Sequence, residues 1–243
     1  KPQKKTKQKK KKNKKKTMYR TVIGLLSGLA LLFVPAVQAE DDAAAAQEIV
    51  EKARVTFQNF HADPDMQWFR NNLGNARGVL IVPTYAKAGF IVGGAGGQGV
   101  LVTRNKEDGS WAGPAFSYMG AASVGLLAGV DVAEVLMLVM TDQGVDKLVA
   151  GGLKLGGDVR VAAGPVGAGA AAATADVLSY SRGKGLYAGV SFDGSVINPR
   201  EKYNTAFYGK DANTTDILIR RTVSNPAGAT LVQEVAKAVQ AKQ

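Results

Sequence analysis

The chain has no cysteine and a single histidine in 243 residues. The missing thiols exclude disulfides, thiolate nucleophiles, iron–sulfur clusters and cysteine zinc sites, together with the lipid-modified cysteine of an exported lipoprotein. A metal centre would have to rest on carboxylates, with His61 at most. That ring, between two predicted helices, reads as a solvated or capping side chain. Catalytic patterns are equally scarce. No G-x-S-x-G elbow follows the first 39 residues, Ser191 sits in a strand-like run with no imidazole but His61 to draw on, and the carboxylates stand singly in turns or at helix starts. The expectation is a protein with no catalytic residue, no metal and no cofactor.

Acids are absent from residues 1–39, which hold twelve of the 31 Lys and Arg. The remaining 19 cations face 20 anions, so the formal charge of +11 belongs to the leader and the rest carries −1. Residues 1–17 are a lysine-rich tract that reads as an extension upstream of a native start at Met18. Residues 18–39 have the order of a secretory signal peptide: a basic start, an apolar run from Val22 to Val34, and small residues before a cleavage point after Ala39. That run is shorter than the about 20 residues of a membrane span, and a retained N-terminal anchor is the alternative. The expected localisation is exported, periplasmic or envelope-associated. Nucleic acid is not an expected partner, because the basic tract lies outside the mature segment.

The stretch from Gly78 to Arg104 is nearly all apolar, β-branched or glycine. Gly94, Gly96 and Gly99 spell G-x-G-x-x-G, the spacing that lets backbone approach a pyrophosphate at a helix start. The sequence after it, Val100 to Arg104, is β-branched and runs into the turn residues Asn105 to Gly109, so no helix N-terminus is available for an anion. Strand, glycine bend and strand is the reading instead. A second candidate, Gly164 to Gly169 before an alanine run, lacks the acid at the end of a parallel strand that dinucleotide binding requires. Asp193 stands with Gly194 in a hairpin turn joining Leu186–Phe192 to Val196–Asn198.

Elsewhere the periodicity is plain. Ala46, Val50, Ala53, Phe57 and Phe60 share one face of a helix over Asp42–Phe60. A second helix opens at Asp63–Pro64, turns Trp68, Phe69 and Leu73 inward and stops at Gly74. Trp111 to Met119 and Val130 to Met140 read as strands, the latter buried. Glu134 lies inside it and calls for an Arg or Lys from a neighbouring strand. Thr141 starts a helix that ends at Gly151–Gly152, with Val145, Leu148 and Val149 inward. Val159 to Ala162 alternates as a strand with one wet face. Pro199 to Tyr208 reads as helix, Asp216 to Arg220 as a last strand, and Asn225–Pro226 opens a C-terminal helix striped by Leu231, Val235 and Ala238. The fold class is α+β: a single antiparallel β-rich domain flanked by N- and C-terminal helices. Residues 40–75 form the N-terminal helices and 76–243 the β-rich domain with its C-terminal helix.

A series of short motifs runs in order from about residue 76 to 210: Ala76-Arg-Gly-Val-Leu-Ile, Gly96-Gly-Gln-Gly-Val, Asp108-Gly-Ser-Trp-Ala-Gly-Pro114, Leu155-Gly-Gly-Asp-Val, Tyr180-Ser-Arg-Gly-Lys-Gly-Leu-Tyr-Ala-Gly-Val190, Asp193-Gly-Ser and Phe207-Tyr-Gly209. This succession resembles the SYLF domain, a lipid-binding family whose eukaryotic members associate with actin patches and phosphoinositide membranes. The resemblance implies a non-enzymatic domain that binds anionic phospholipid at a membrane surface. The signal peptide argues against actin as a partner, because an exported chain meets no cytosolic filament. Lys184, Arg182, Lys87, Arg104 and Arg160 lie beside glycine-rich bends or on polar strand faces, where cations and exposed N–H groups meet phosphate. They are the candidate lipid-binding residues, with Lys184, between two glycines of a family-like motif, foremost. Two other classes stay open: a structural or adhesive envelope protein binding protein partners, and a hydrolase or transferase using Ser, Asp and Lys.

Overall fold

A computed structural model describes residues 34–89, 92–124, 129–164, 174–183, 186–188 and 192–240. Two compact units divide the chain, Lys1–Asp41 and Asp42–Gln243. Of the first, the described part is the opening of helix α1, which runs over Val34–Ala62 and so begins before the Asp42 that periodicity suggests. The second unit holds everything that follows.

Helix α1 buries Ala46, Val50, Ala53, Phe57 and Phe60, each at most 3% exposed, the same five residues that share a face by spacing. Full burial of a large apolar side chain contributes about 1.5–3 kcal/mol, so this stripe anchors the helix. Asp63 caps the next turn by accepting from the Asp65 N–H, and a 3-10 turn over Pro64–Met66 leads into α2, Gln67–Leu73. Phe69 and Leu73 are buried and Trp68 half-buried.

The sheet follows: β1 Gly78–Gly89, β2 Val92–Arg104, β3 Trp111–Val124, β4 Gly129–Val139, β5 Leu153–Lys154, β6 Val161–Ala163, β7 Val177–Gly183, β8 Leu186–Ala188 and β9 Val196–Pro199. Their spatial order is β5-β9-β3-β2-β1-β4-β7-β6, with β8 also on β7. Every pairing is antiparallel except β6 with β7, so the alternation at Val159–Ala162 leads to a parallel edge strand. Helix α3, Asp142–Ala150, is capped by the Thr141 hydroxyl on the Gly144 N–H. Helices α4, Glu201–Tyr208, and α5, Pro226–Gln240, close the chain.

The sheet separates two apolar layers. On one face α1, α2 and α5 cover Val79, Ile81, Val100, Val102, Leu136 and Leu138. On the other, Leu80, Val82, Tyr85, Leu101 and Val135 pack with Val145 and Leu148 of α3 and with Phe192 and Ile217.

Three expectations are corrected. The β1–β2 hairpin exists, but its glycines are strand residues: Gly93 to Gly97 pair with Gly89 to Tyr85. Their role is close approach. Both ladders of β1 shift register around Pro83, where a strand proline forces a bulge, and a Cβ on Gly97 or Gly99 would strike the Thr84 or Ile81 carbonyl. Second, Leu186–Ala188 and Val196–Asn198 do not form a hairpin with each other. β8 returns on β7 and β9 inserts between β3 and β5, because the Asp193–Gly194 turn, with Gly194 at φ 82°, hands the chain to the opposite edge. Third, Asp216–Arg220 is a π-helical turn rather than a strand. Asp216 closes it, accepting from Arg220 at 2.9 Å and leaving Ile217 and Leu218 to the core. The Gly164–Gly169 loop extends from Gly164 into residues outside those described.

Candidate functional site

β1 has neighbours along its whole length: the Gly78 end lies in the core, and the Gly89 end runs past it. There β1, β2, β3 and β4 continue together, with Ala88 opposite Gly94 and Val130, and Gly94 opposite Ala122. Paired residues of antiparallel strands share a face. Glu134, Val132 and Val130 thus follow Leu136 on the α1 side, as Ala86 and Ala88 follow Ile81 beyond the bulge.

Helix α1 stops short of this end. Its Thr56 hydroxyl reaches Glu134 Oε1 at 2.9 Å, and beyond that crossing Ala88, Gly94 and Ala122 are exposed. Val130 is 72% and Val132 48% exposed, more than an isolated β-branched residue on a covered sheet would be. Across β1 to β4 the open end is uncharged on this face, and the opposite face carries Lys87 and Asp131 across from each other.

Arg182 of β7 supplies the partner that Glu134 calls for. Its Nε donates to Glu134 Oε2 at 2.7 Å, its Nη2 bonds the same oxygen, and its guanidinium lies 5.7 Å from the Phe60 ring centroid. Thr56, Glu134, Arg182 and Phe60 form a clasp of α1 onto β4 and β7. Lys87 lies on the other face with Nζ 5.9 Å from the Phe192 ring centroid.

The remaining candidates lie elsewhere. Arg104 Nη1 donates to the Gly74 carbonyl at 3.2 Å and Nε to that of Gly109 at 3.4 Å, tying two turns together at the Gly78 end. Arg160, also at that end, pairs with Asp176 at 3.5 Å. Burial alone would raise the Asp176 carboxyl. The Arg160 N–H, the Thr141 hydroxyl and the Arg160 guanidinium together outweigh it and hold the group below its ordinary value. Lys184 is outside the described residues, between Gly183 and Leu186, which pair with one another. The four described cations therefore do not converge: Lys87 and Arg182 share an end on opposite faces, and Arg104 and Arg160 belong to the other.

His61 stacks on Phe57 at 6.1 Å and is half-buried in a groove between α1 and α5; desolvation, with a smaller push from Arg70, lowers its pKa. No group of three or more metal-ligating side chains occurs among the described residues, and no described helix is long and apolar enough to cross a membrane. Sequence reasoning missed Val130 and Val132 because they open a run that is buried from Val135 onward. Asp131 between them was the available signal of a wet, alternating half.

The pattern described as "Ysc84: Las17-binding protein actin regulator" matches residues 120–239. Protein YSC84 of Saccharomyces cerevisiae is 38% identical over 169 residues, covering 66% of this chain and 36% of that protein. LAS seventeen-binding protein 3 of the same species is 39% identical over 163 residues, covering 64% and 35%. The chain belongs to the Ysc84 family. This is the SYLF family that its motifs resemble. The human SH3 domain-containing YSC84-like protein 1 is 33% identical over 197 residues, 79% of this chain and 56% of that protein. The chain thus spans between about a third and just over half the length of these Ysc84 relatives. The family description speaks of Las17 binding and actin regulation, and one of these relatives is named for binding LAS seventeen. Within the matched region lie Val130, Val132, Glu134 and Arg182.

Proposed function

We propose that this Ysc84 domain is a non-enzymatic module that docks on anionic phospholipid surfaces through the Gly89 end of its sheet. The observation that carries the reading is the uncovered apolar end itself, where Val130 and Val132 stand in solvent on strands otherwise lined by alanine and glycine. Exposed apolar area of this kind marks an interaction site. Lys87 forms no ion pair among the described residues, and Gly183, which pairs with Ala133, precedes Lys184 in the sequence. Arg182 takes part by fixing α1 with its charge already met by Glu134. Export to the periplasm or envelope through residues 18–39 belongs to the same proposal and selects an anionic glycerophospholipid without an inositol headgroup, such as phosphatidylglycerol, as ligand.

Flotation of the full chain on liposomes of phosphatidylcholine, with and without phosphatidylglycerol, tests it. Each cation near an anionic surface contributes about 1 kcal/mol, so Lys184→Glu weakens partitioning roughly tenfold or more at low salt and little at high salt. Val130→Asp with Val132→Asp weakens it at both. Equal flotation of the parent and both variants would remove the sheet end from the function. The names of the relatives favour a second reading, a protein partner. Retention of the purified chain by envelope protein or by actin, without any lipid dependence, would establish it.

A further inference from the structure

The α1 face of the sheet continues past the helix as a groove of about 770 Å³. One register row runs across it through Lys154, Val196, Gly120, Gly96 and Ala86, and continues past the groove onto β4 at Val132. Five inter-strand spacings of about 4.8 Å make the row on the order of 24 Å long, the scale of an extended long acyl chain with its headgroup. A cation stands at one end, and no other charged or polar side chain interrupts the row. The Lys154 ammonium is exposed and has no carboxylate partner among the described residues.

Tyr118 walls the groove. A Cβ on Gly96 would lie 2.6 Å from the Tyr118 hydroxyl and one on Gly120 2.8 Å from its ring, so the ring rests across both glycines and needs both to be bare. Tyr118 as a whole is 41% exposed. Directly opposite Tyr118 in the ladder is Gln98, whose side-chain oxygen is buried without a hydrogen-bond partner. A buried acceptor left unmet costs about 1–3 kcal/mol. For a ligand to reach the Gly96 and Gly120 floor the ring would have to leave the glycines, and the Gln98 side-chain oxygen is an acceptor that the Tyr118 hydroxyl, with no partner of its own among the described residues, could then meet.

We infer that this groove takes one acyl chain of an anionic membrane glycerophospholipid, the tail lying along Ala86, Gly96 and Gly120 beside Tyr118 and the phosphate meeting Lys154. The inference rests on the lipid-docking reading and deepens it, since surface docking alone needs no chain to leave the bilayer. Neutral amphiphiles lack the group that Lys154 would meet, and a free phosphate lacks the tail that the uncharged row would cover.

Titration calorimetry of the full chain with lauroyl lysophosphatidylglycerol, below its micelle concentration, tests it beside flotation of the same samples. The expected result is saturable uptake of one molecule per chain, weakened at least tenfold by Ala88→Trp, which fills the groove from an exposed position. Lys154→Glu, on the surface, weakens it similarly and leaves uptake of monolaurin, which has the same tail and no phosphate, unchanged. Uptake that ignores both substitutions overturns the inference, as does flotation without any uptake of the monomer, which leaves surface docking standing. Loss of flotation and uptake alike in the parent chain overturns both readings. A lipid-free dimer that Ala88→Trp dissociates assigns the groove to a second copy and also overturns it.

Discussion

Glu134 accepts from two elements at once, the Thr56 hydroxyl of α1 and the Arg182 guanidinium of β7, across 78 and 48 residues of sequence respectively. The carboxylate and guanidinium side chains are 25% and 21% exposed, between a surface pair, which contributes little, and a buried one, whose rupture is severe. Glu134→Ala removes the carboxylate that accepts from the Arg182 guanidinium and the Thr56 hydroxyl, and is expected to cost about 2 kcal/mol in urea unfolding. The double variant with Arg182→Ala is expected to cost less than the two single changes added. Strict additivity would mean that the clasp carries no joint energy. Sequence reasoning reached the need for a cation here and not its identity. Which arginine stands opposite Glu134 is set by the β4–β7 register, and that is a property of the folded sheet.

At the scale of elements, helices were legible and strand roles only partly. The α1 face and the caps at Asp63 and Thr141 follow from local spacing and local hydrogen bonds, so their sequence signals stand within one turn of the residues that use them. The β1–β2 hairpin was legible as two apolar runs, while the work of its glycines was not, since each depends on what lies across the ladder. Gly99 faces the Ile81 carbonyl at the bulge, whereas a Cβ on Gly94 would have its nearest neighbour at 3.8 Å. Gly99→Ala is therefore expected to destabilise by about 1–3 kcal/mol through forced backbone displacement. Gly94→Ala is expected to be neutral or to stabilise by about 0.4–1 kcal/mol through the unfolded chain. Thermal unfolding of the two variants separates them. A matching loss at Gly94 would show that the glycine run serves flexibility throughout instead of close approach at the bulge.

For the whole molecule, the order β5-β9-β3-β2-β1-β4-β7-β6 could not be read from the chain, because β9 and β5 reach their places by contacts between distant segments. The same topology leaves the two ends of one sheet in different physical states. Near Gly78 the strands lie between α1 and α3, and Val79 to Val82, Val100 to Val102 and Val135 to Val139 are at most 1% exposed. Near Gly89 the same strands keep their ladders but lose the helix above them, with Val130 at 72% exposure. Local opening there breaks hydrogen bonds without exposing a core, so its free energy lies well below that of global unfolding. Amides of Lys87 to Gly89, Gly94, Ala95 and Val130 to Val132 are accordingly expected to exchange at least about tenfold faster than those of the buried segments, a gap of about 1.4 kcal/mol or more. Liposomes containing phosphatidylglycerol are expected to slow the first set and leave the second unchanged, since the buried segments already exchange only through global opening. Uniform protection along β1 in the free protein would contradict the two-ended reading of the sheet, and slowing confined to the Gly78 end would place the lipid contact among Arg104 and Arg160 instead.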